Sequence, residues 1–251
     1  MHLKLLIGFS ISALLCVGAV RAQTHVPNSQ VIAEIEDHLY HANVLKHGNV
    51  QVTFTEGVAT LTGTVDSIGV KADAEEAVWK DEDVRRVVNQ IAVGSAGTDS
   101  TQILNEARRK ILTHYANTIF DDIEIEVQGN TLVVLGKVTQ PYKKEAAGYF
   151  LAHIKGVSAL ENKVEVLSLS VDDEDLRIRI ARAIYDDPYL VSYAEAANPS
   201  IHIIVSAGSV MLVGVVNSAL DRSRAEQDAR LVSAFFPVQD NLRVAGQGTT
   251  P

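Results

Sequence analysis

E-G-V-A-T-L-T-G-T-V, from Glu56 to Val65, decides the fold, because the chain writes it three times. It returns as Q-G-N-T-L-V-V-L-G-K-V at Gln128 to Val138 and as A-G-S-V-M-L-V-G-V-V at Ala207 to Val216. Each copy holds a glycine, a run of strand-forming residues, a second glycine (Gly63, Gly136, Gly214) and, two residues on, a valine (Val65, Val138, Val216). The second copy carries one extra residue between its glycines.

Counting outward from the second glycine shows a fixed frame. Three residues on stand Asp66, Thr139 and Asn217, all residue types that cap helix N-termini. Pro141 follows in the second copy, where a first-turn proline loses nothing. Eleven on stand Ala74, Ala147 and Ala225, and fifteen on Val78, Leu151 and Ala229, so both positions share one helical face. Twenty-six on stand Asn89, Asn162 and Asp240, each opening an alternating apolar stretch that reads as a strand with one buried face. Identical spacing in three copies is the signature of a repeated unit.

Upstream of each copy lies another alternating strand: Val50 to Phe54, Ile123 to Val127 and Ile201 to Val205. Each forms a hairpin with its glycine strand, turning near Gly57, Gly129-Asn130 and Gly208-Ser209. The second glycine is expected where a helix packs or the strand kinks. A helix precedes each hairpin. Its apolar face is Ile32, Ile35, Leu39 and Ala42 in the first unit, Leu104, Ala107, Ile111 and Tyr115 in the second, and Leu176, Ile180, Ala183 and Ile184 in the third. The expected fold class is α+β: three tandem αββαβ domains, each a three-stranded sheet with two helices packed on one face. They run over residues 28–94, 101–168 and 171–246, with a disordered tail at 247–251.

Residues 1–22 read as a secretory signal. Lys4 is followed by an uncharged, mostly apolar run of 16 residues, Leu5 to Val20, and by the small-residue pattern Val20-Arg21-Ala22. Cleavage is expected after Ala22. An uncleaved anchor is the competing reading, and the run is short of the roughly 20 residues a spanning helix needs. Removing this segment takes the only cysteine, Cys16, which excludes disulfides and thiol chemistry from the rest. It also removes Lys4 and Arg21, leaving 20 basic against 31 acidic residues and a formal charge of −11. That sign repels phosphate backbones, so nucleic acid is not an expected partner. It also opposes simple adsorption to anionic lipid.

The pattern resembles the BON domain family, through the glycine strand G-x-V-x-L-x-G-x-V at Gly57 to Val65 and the closing V-x-N-x-I-x-V at Val87 to Val93. The resemblance covers nearly all of the chain after the signal. The third copy departs from it with Asp240 in place of asparagine and a longer segment from Pro188 to Pro199. The resemblance implies a periplasmic protein of the Gram-negative envelope, associated with the outer or inner membrane. It implies roles in osmotic-stress protection, outer-membrane integrity and phospholipid binding, and no enzymatic activity. The alternative role is a chaperone-like or protein-interaction module for envelope proteins.

Local chemistry is sparse. Nothing in the sequence resembles a nucleophile–base pair, a phosphate loop or a paired-carboxylate site, so neither a cofactor nor a small-molecule substrate is expected. The second copy is neutral where the others are acidic, and it carries Arg108, Arg109 and Lys110 on one helix and Lys143 and Lys144 opening the next. These are the candidate lipid contacts, against the reading of solvated outer faces. Tyr185, Tyr189, Leu190 and Tyr193 in the third copy are the candidate interface, against a loop packing on its own domain. His38 and His41 share a helical face near Asp37 and His47, but no further ligand completes a site, so no metal is assigned. The run Asp172 to Asp175 places negative charge at a helix start.

Overall fold

The computed structural model describes residues 27–94, 97–114, 118–168, 170–196, 199–234 and 236–246. Residues 1–22, expected to be a signal, the tail beyond Gly246 and Tyr115 lie outside the described residues.

The first domain runs α1 (Asn28–His41), a short 3-10 turn (Val44–Lys46), β1 (Gly48–Thr55), β2 (Val58–Val65), α2 (Ile68–Val78), β3 (Arg86–Asn89) and β4 (Ala92–Val93). The second runs α3 (Ser100–His114), β5 (Asp122–Gln128), β6 (Thr131–Val138), α4 (Pro141–Ala152), β7 (Ala159–Asn162) and β8 (Glu165–Val166). The third runs α5 (Val171–Tyr185), α6 (Val191–Ala194), β9 (Ile201–Ser206), β10 (Ser209–Val216), α7 (Ala219–Ser233) and β11 (Val238–Val244). In every sheet the glycine strand is central, antiparallel to the strand before it and parallel to the one that returns after the helix.

Each domain closes its own core. Ala74, Ala147 and Ala225 are fully buried, as are Val78, Leu151 and Ala229. The first helices bury Val31, Ile35 and Leu39, then Ile103, Ala107 and Ile111, then Leu176, Ile180 and Ile184. In the second helix the inward residue is therefore Ile103 rather than Leu104, about 100° round the helix.

Three local expectations are corrected. Helix caps fall one residue later than expected: Ser67 Oγ accepts from Val70 N–H and Ser218 Oγ from Asp221 N–H, while Pro141 follows an uncapped Gln140. The N–H groups of Asp66, Thr139 and Asn217, just ahead of the N-cap positions, are each held by a different acceptor. His47 O accepts the first, Asp121 Oδ1 the second and Tyr193 Oη the third. The extra residue of the second copy disappears, because the three central strands have equal length and all three hairpins have two-residue loops. Gly129 takes the first loop position, whereas Gly57 and Gly208 take the second.

The third correction concerns Gly63, Gly136 and Gly214, which adopt φ of +117°, +113° and +120°. The atoms nearest to a Cβ there would not belong to a helix. They are carbonyl oxygens of the adjacent backbone, Asn49 O at 2.0 Å in β1, Asp122 O at 2.1 Å in β5 and Ser200 O at 1.9 Å just before β9.

The closing position shows one solution reached twice and a second reached once. Asn89 and Asn162 each donate through Nδ2 to a carbonyl of the packed helix, Lys71 O and Lys144 O, and accept the N–H two residues on. Asp240 has no N–H to give. It keeps the acceptor role toward Leu242 N–H, and Arg222, which stands where Lys71 and Lys144 stand, donates to it through Nε at 2.7 Å.

Adjacent domains are bonded to each other. Ile68 N–H donates to Val157 O (2.8 Å) and Gly156 N–H to Asp66 O (2.7 Å), His153 Nε2 lies 2.8 Å from Asp73 Oδ2, and Ile68 packs on the second core. Between the second and third domains, Ile203 N–H donates to Ile119 O (2.7 Å), and Ile119 and Phe120 pack against the third core.

Candidate functional site

The second and third domains meet around Asp121, at the end of the loop between α3 and β5. Its side chain is fully buried and accepts from Thr118 N–H (3.0 Å), Thr118 Oγ1 (2.6 Å), Thr139 N–H (2.8 Å), Thr139 Oγ1 (2.9 Å) and the ammonium of Lys143. Burial pushes its carboxyl up, but Lys143 and the threonine donors outweigh it and hold the group below its ordinary value. Five donors occupy the roughly four lone-pair directions of a carboxylate, so no lone pair is left to take a proton from a substrate. The pair is a structural clasp. It fixes the backbone whose carbonyl accepts from His202 Nδ1 (2.5 Å) and whose preceding residues enter the third domain.

Beside this clasp opens a cleft of about 740 Å³. Phe120, Tyr142, Val171 and Ile178 form its apolar walls, and Lys143 and Arg177 lie at its base. Val171 is 87% exposed and Tyr142 57% exposed. Arg177 is buried, with Nη1 donating to Glu174 Oε2 (2.8 Å) and Nη2 to Val205 O (2.7 Å). Both cations of the base are thus already matched by carboxylates, and the cleft offers apolar and aromatic contact more than net charge.

The expected site residues do not converge. Arg108 is exposed and lines a separate groove of about 420 Å³ along β5. Arg109 is paired with Glu106 (Nη2–Oε1 2.5 Å), and Lys110 and Lys144 are half-buried. Lys143 is only 4% exposed and spent on Asp121, which takes it off the surface. In the third domain Leu190 and Tyr193 are buried in the domain's own core. Tyr193 Oη donates to Asp221 Oδ2 (2.7 Å), and the hydroxyl of half-buried Tyr185 donates to Ile201 O. Tyr189 is 71% exposed under the guanidinium of Arg224, 5.3 Å from its ring centre. His41 faces the Asp37 carboxylate and His47 that of Asp66, and among the described residues no three potential ligands cluster.

The residues that build the cleft, Phe120, Tyr142, Val171 and Ile178, were not singled out by sequence. The one available signal was the apolar pair Ile119-Phe120 in a connection that should otherwise be polar.

Comparison with known proteins gives a consistent frame. The family model of the BON domain matches residues 27–95, 100–168 and 172–246. A curated relative, the "Uncharacterized protein in gshII 5'region" of Anaplasma centrale, is 32% identical over 68 residues, covering 27% of this chain and 44% of that protein. The chain thus spans less than half the length of that relative. Among solved structures, the C-terminal domain of CdsD, a structural protein of the type III secretion system of Chlamydia trachomatis, is 16% identical, with 87% of this chain and 99% of that chain covered at a TM-score of 0.23. The periplasmic domain of PrgH, a type III secretion inner-membrane protein of S. typhimurium, is 12% identical, with 83% and 99% covered at a TM-score of 0.19. Superpositions this loose carry no argument about role.

Proposed function

Because the chain belongs to the BON domain family, as three domains in tandem, we propose that it is a non-enzymatic periplasmic protein of the cell envelope. In this reading it docks on phospholipid surfaces and supports envelope integrity under osmotic stress. The observation that carries the reading is the rim of the cleft between the second and third domains. There Tyr142, Val171 and Ile178 are exposed together at the mouth of an apolar-walled hollow. Aliphatic and tyrosine side chains of this kind suit the boundary between headgroups and acyl chains. No helix among the described residues is long and apolar enough to cross a membrane.

This mode differs from adsorption through basic residues. Lys143 is neutralised by Asp121, Arg109 by Glu106, and the protein after its signal is strongly acidic. Contact therefore rests on apolar insertion and tolerates salt. Co-sedimentation with vesicles of phosphatidylethanolamine and phosphatidylglycerol tests it, at low salt and at 0.5 M salt. Binding that survives salt and is lost in Val171→Asp supports the rim. Binding abolished by salt and by neutralising Arg108, Arg109 and Lys110, but indifferent to Val171→Asp, moves the contact to the basic helix. No binding to either vesicle removes the lipid reading.

A further inference from the structure

Each sheet begins with an edge strand, and the three edges are treated differently. The carbonyl of Asp122 points at β6, so the backbone groups of Asp122, Glu124 and Glu126 face the sheet, and those of Ile123, Ile125 and Val127 face outward. The same alternation in β9 turns Ile201, Ile203 and Val205 outward. In the third domain all three of these find partners: Tyr185 donates to Ile201 O, Ile203 N–H donates to Ile119 O, and Arg177 donates to Val205 O. In the second domain no described residue bonds the backbone of Ile123, Ile125 or Val127 from the outer side.

That open edge lies in the groove that holds Arg108. Ile111 and Leu112 of α3 flank it on the helix side, and His202 and Arg243 of the third domain stand at the Asp122 end. Ile123, Ile125 and Val127 turn their side chains to the core, and Glu124 and Glu126 project from the opposite, uncovered face. Asp122 already feels His202 and Arg243. Glu124 and Glu126 have no hydrogen-bond or ion-pair partner among the described residues.

We propose that β5 is a strand-addition site for an extended segment of a partner protein in which Lys or Arg alternates with Val, Ile or Leu. Such a segment pairs its backbone with the outward groups of Ile123, Ile125 and Val127. Its apolar residues fall on the helix side, over Leu112, which is exposed and otherwise uncovered. Its basic residues fall beside Glu124 and Glu126, because residues opposite each other on paired strands share a face. The same carboxylates reject a second copy of this chain, since β5 pairing with β5 sets glutamate against glutamate. The edge of β1 is also open, but its uncovered face carries Asn49, Gln51 and Thr53, with no charge to select a ligand. The surface is separate from the lipid rim, and neither proposal depends on the other.

The test uses the full chain after signal removal and a labelled, end-capped probe peptide, Lys-Val-Lys-Ile-Lys-Val. Its binding should slow amide exchange at Ile123, Ile125 and Val127 and not at β1. The Glu124→Lys, Glu126→Lys double variant alters only exposed side chains. It should weaken the probe about tenfold and strengthen its Glu-Val-Glu-Ile-Glu-Val counterpart by a similar factor. A probe N-methylated at alternate residues should fail to bind, because it cannot form the ladder. Equal binding of the N-methylated probe, or binding without protection of the three amides, reduces the effect to charge attraction and overturns the proposal. Self-association that protects the same amides without peptide assigns the edge to a second copy and overturns it equally.

Discussion

Replacing Gly63 by alanine should cost the first domain far more than replacing Gly57, although both glycines have positive φ. At Gly57 the φ is +80° and the nearest atoms to a new Cβ belong to the flexible Arg85 side chain, at 3.1 Å. That side chain can swing away, leaving only the left-handed backbone penalty of about 1–2 kcal/mol. At Gly63 the φ is +117° and the new Cβ sits 2.0 Å from Asn49 O. An ordinary carbon–oxygen approach is about 3.3 Å, so β1 and β2 must part by roughly 1 Å. Parting them there weakens the two ladder bonds of the Asn49–Thr64 pair, at about 1 kcal/mol each, on top of backbone strain of about 1–3 kcal/mol. The sum is about 3–5 kcal/mol. The chain has one tryptophan, Trp79, at the end of α2, so its fluorescence reports the first domain alone. With a urea slope of about 1–3 kcal/mol per molar, Gly63→Ala should lower the midpoint by about 2 M and Gly57→Ala by less than 1 M. Equal shifts would refute the account, because they would mean that the cross-strand carbonyl does not impose the glycine.

Four further outcomes follow from side-chain contacts. Arg222→Ala leaves the Asp240 carboxylate without its guanidinium and should cost the third domain about 2–4 kcal/mol; Asp240→Asn in the same background should recover part of this by restoring an amide donor toward the α7 carbonyl, as thermal unfolding will show. Asp121 sits below its ordinary carboxyl value, so the stability it contributes is complete above about pH 4 and is lost as pH falls through its folded value. An acid titration of the second domain's circular dichroism should show this loss, and Asp121→Asn should abolish it. Asp122 next to it is held high, by burial first and Glu124 second, and works in the opposite sense: Asp122→Asn should stabilise the protein at pH 7 and change little in acid. Asp173 accepts from both Ala207 N–H (2.9 Å) and Gly208 N–H (2.8 Å), so Asp173→Ala should cost about 1.5–3 kcal/mol and raise amide exchange at that hairpin turn.

The fold was legible because its determinants are local and periodic. Gly63, Gly136 and Gly214 set one frame, and Ala74, Ala147 and Ala225 fall at one distance from it with no room for insertion. What the frame could not show is which acceptor holds each helix entry. The same N–H is met by a backbone carbonyl from His47, a carboxylate from Asp121 and a phenol from Tyr193, each from the differently built connection between first helix and hairpin. Substitution of Asn by Asp at position 240 read as a departure. Its compensation by Arg222 is a contact across 18 residues that one sequence does not display. Charge misled most. Lys143 looked like one of a surface pair beside Lys144, because burial of a lysine depends on a partner, and its partner lies 22 residues upstream in a loop of no regular pattern. The tyrosine segment was similarly divided by packing, which put Leu190 and Tyr193 inside and left Tyr189 out.

The loop that lends Ile119 and Phe120 to the following domain gives the chain a grammar. Three copies of one unit invite the picture of interchangeable cassettes, to be cut out or reordered at will. Here the second cassette ends its first helix with a plug, and only the third presents the socket, with Ile203 N–H waiting for Ile119 O. The corresponding loop of the first cassette folds Val44 back into its own core and has nothing to lend. The third cassette's own loop is likewise spent internally, on Leu190 and Tyr193. The array therefore has a direction at this junction. A transposed chain, with the third unit moved ahead of the second, would carry a plug with no socket and a socket with no plug, even though every unit in it had kept its own sequence.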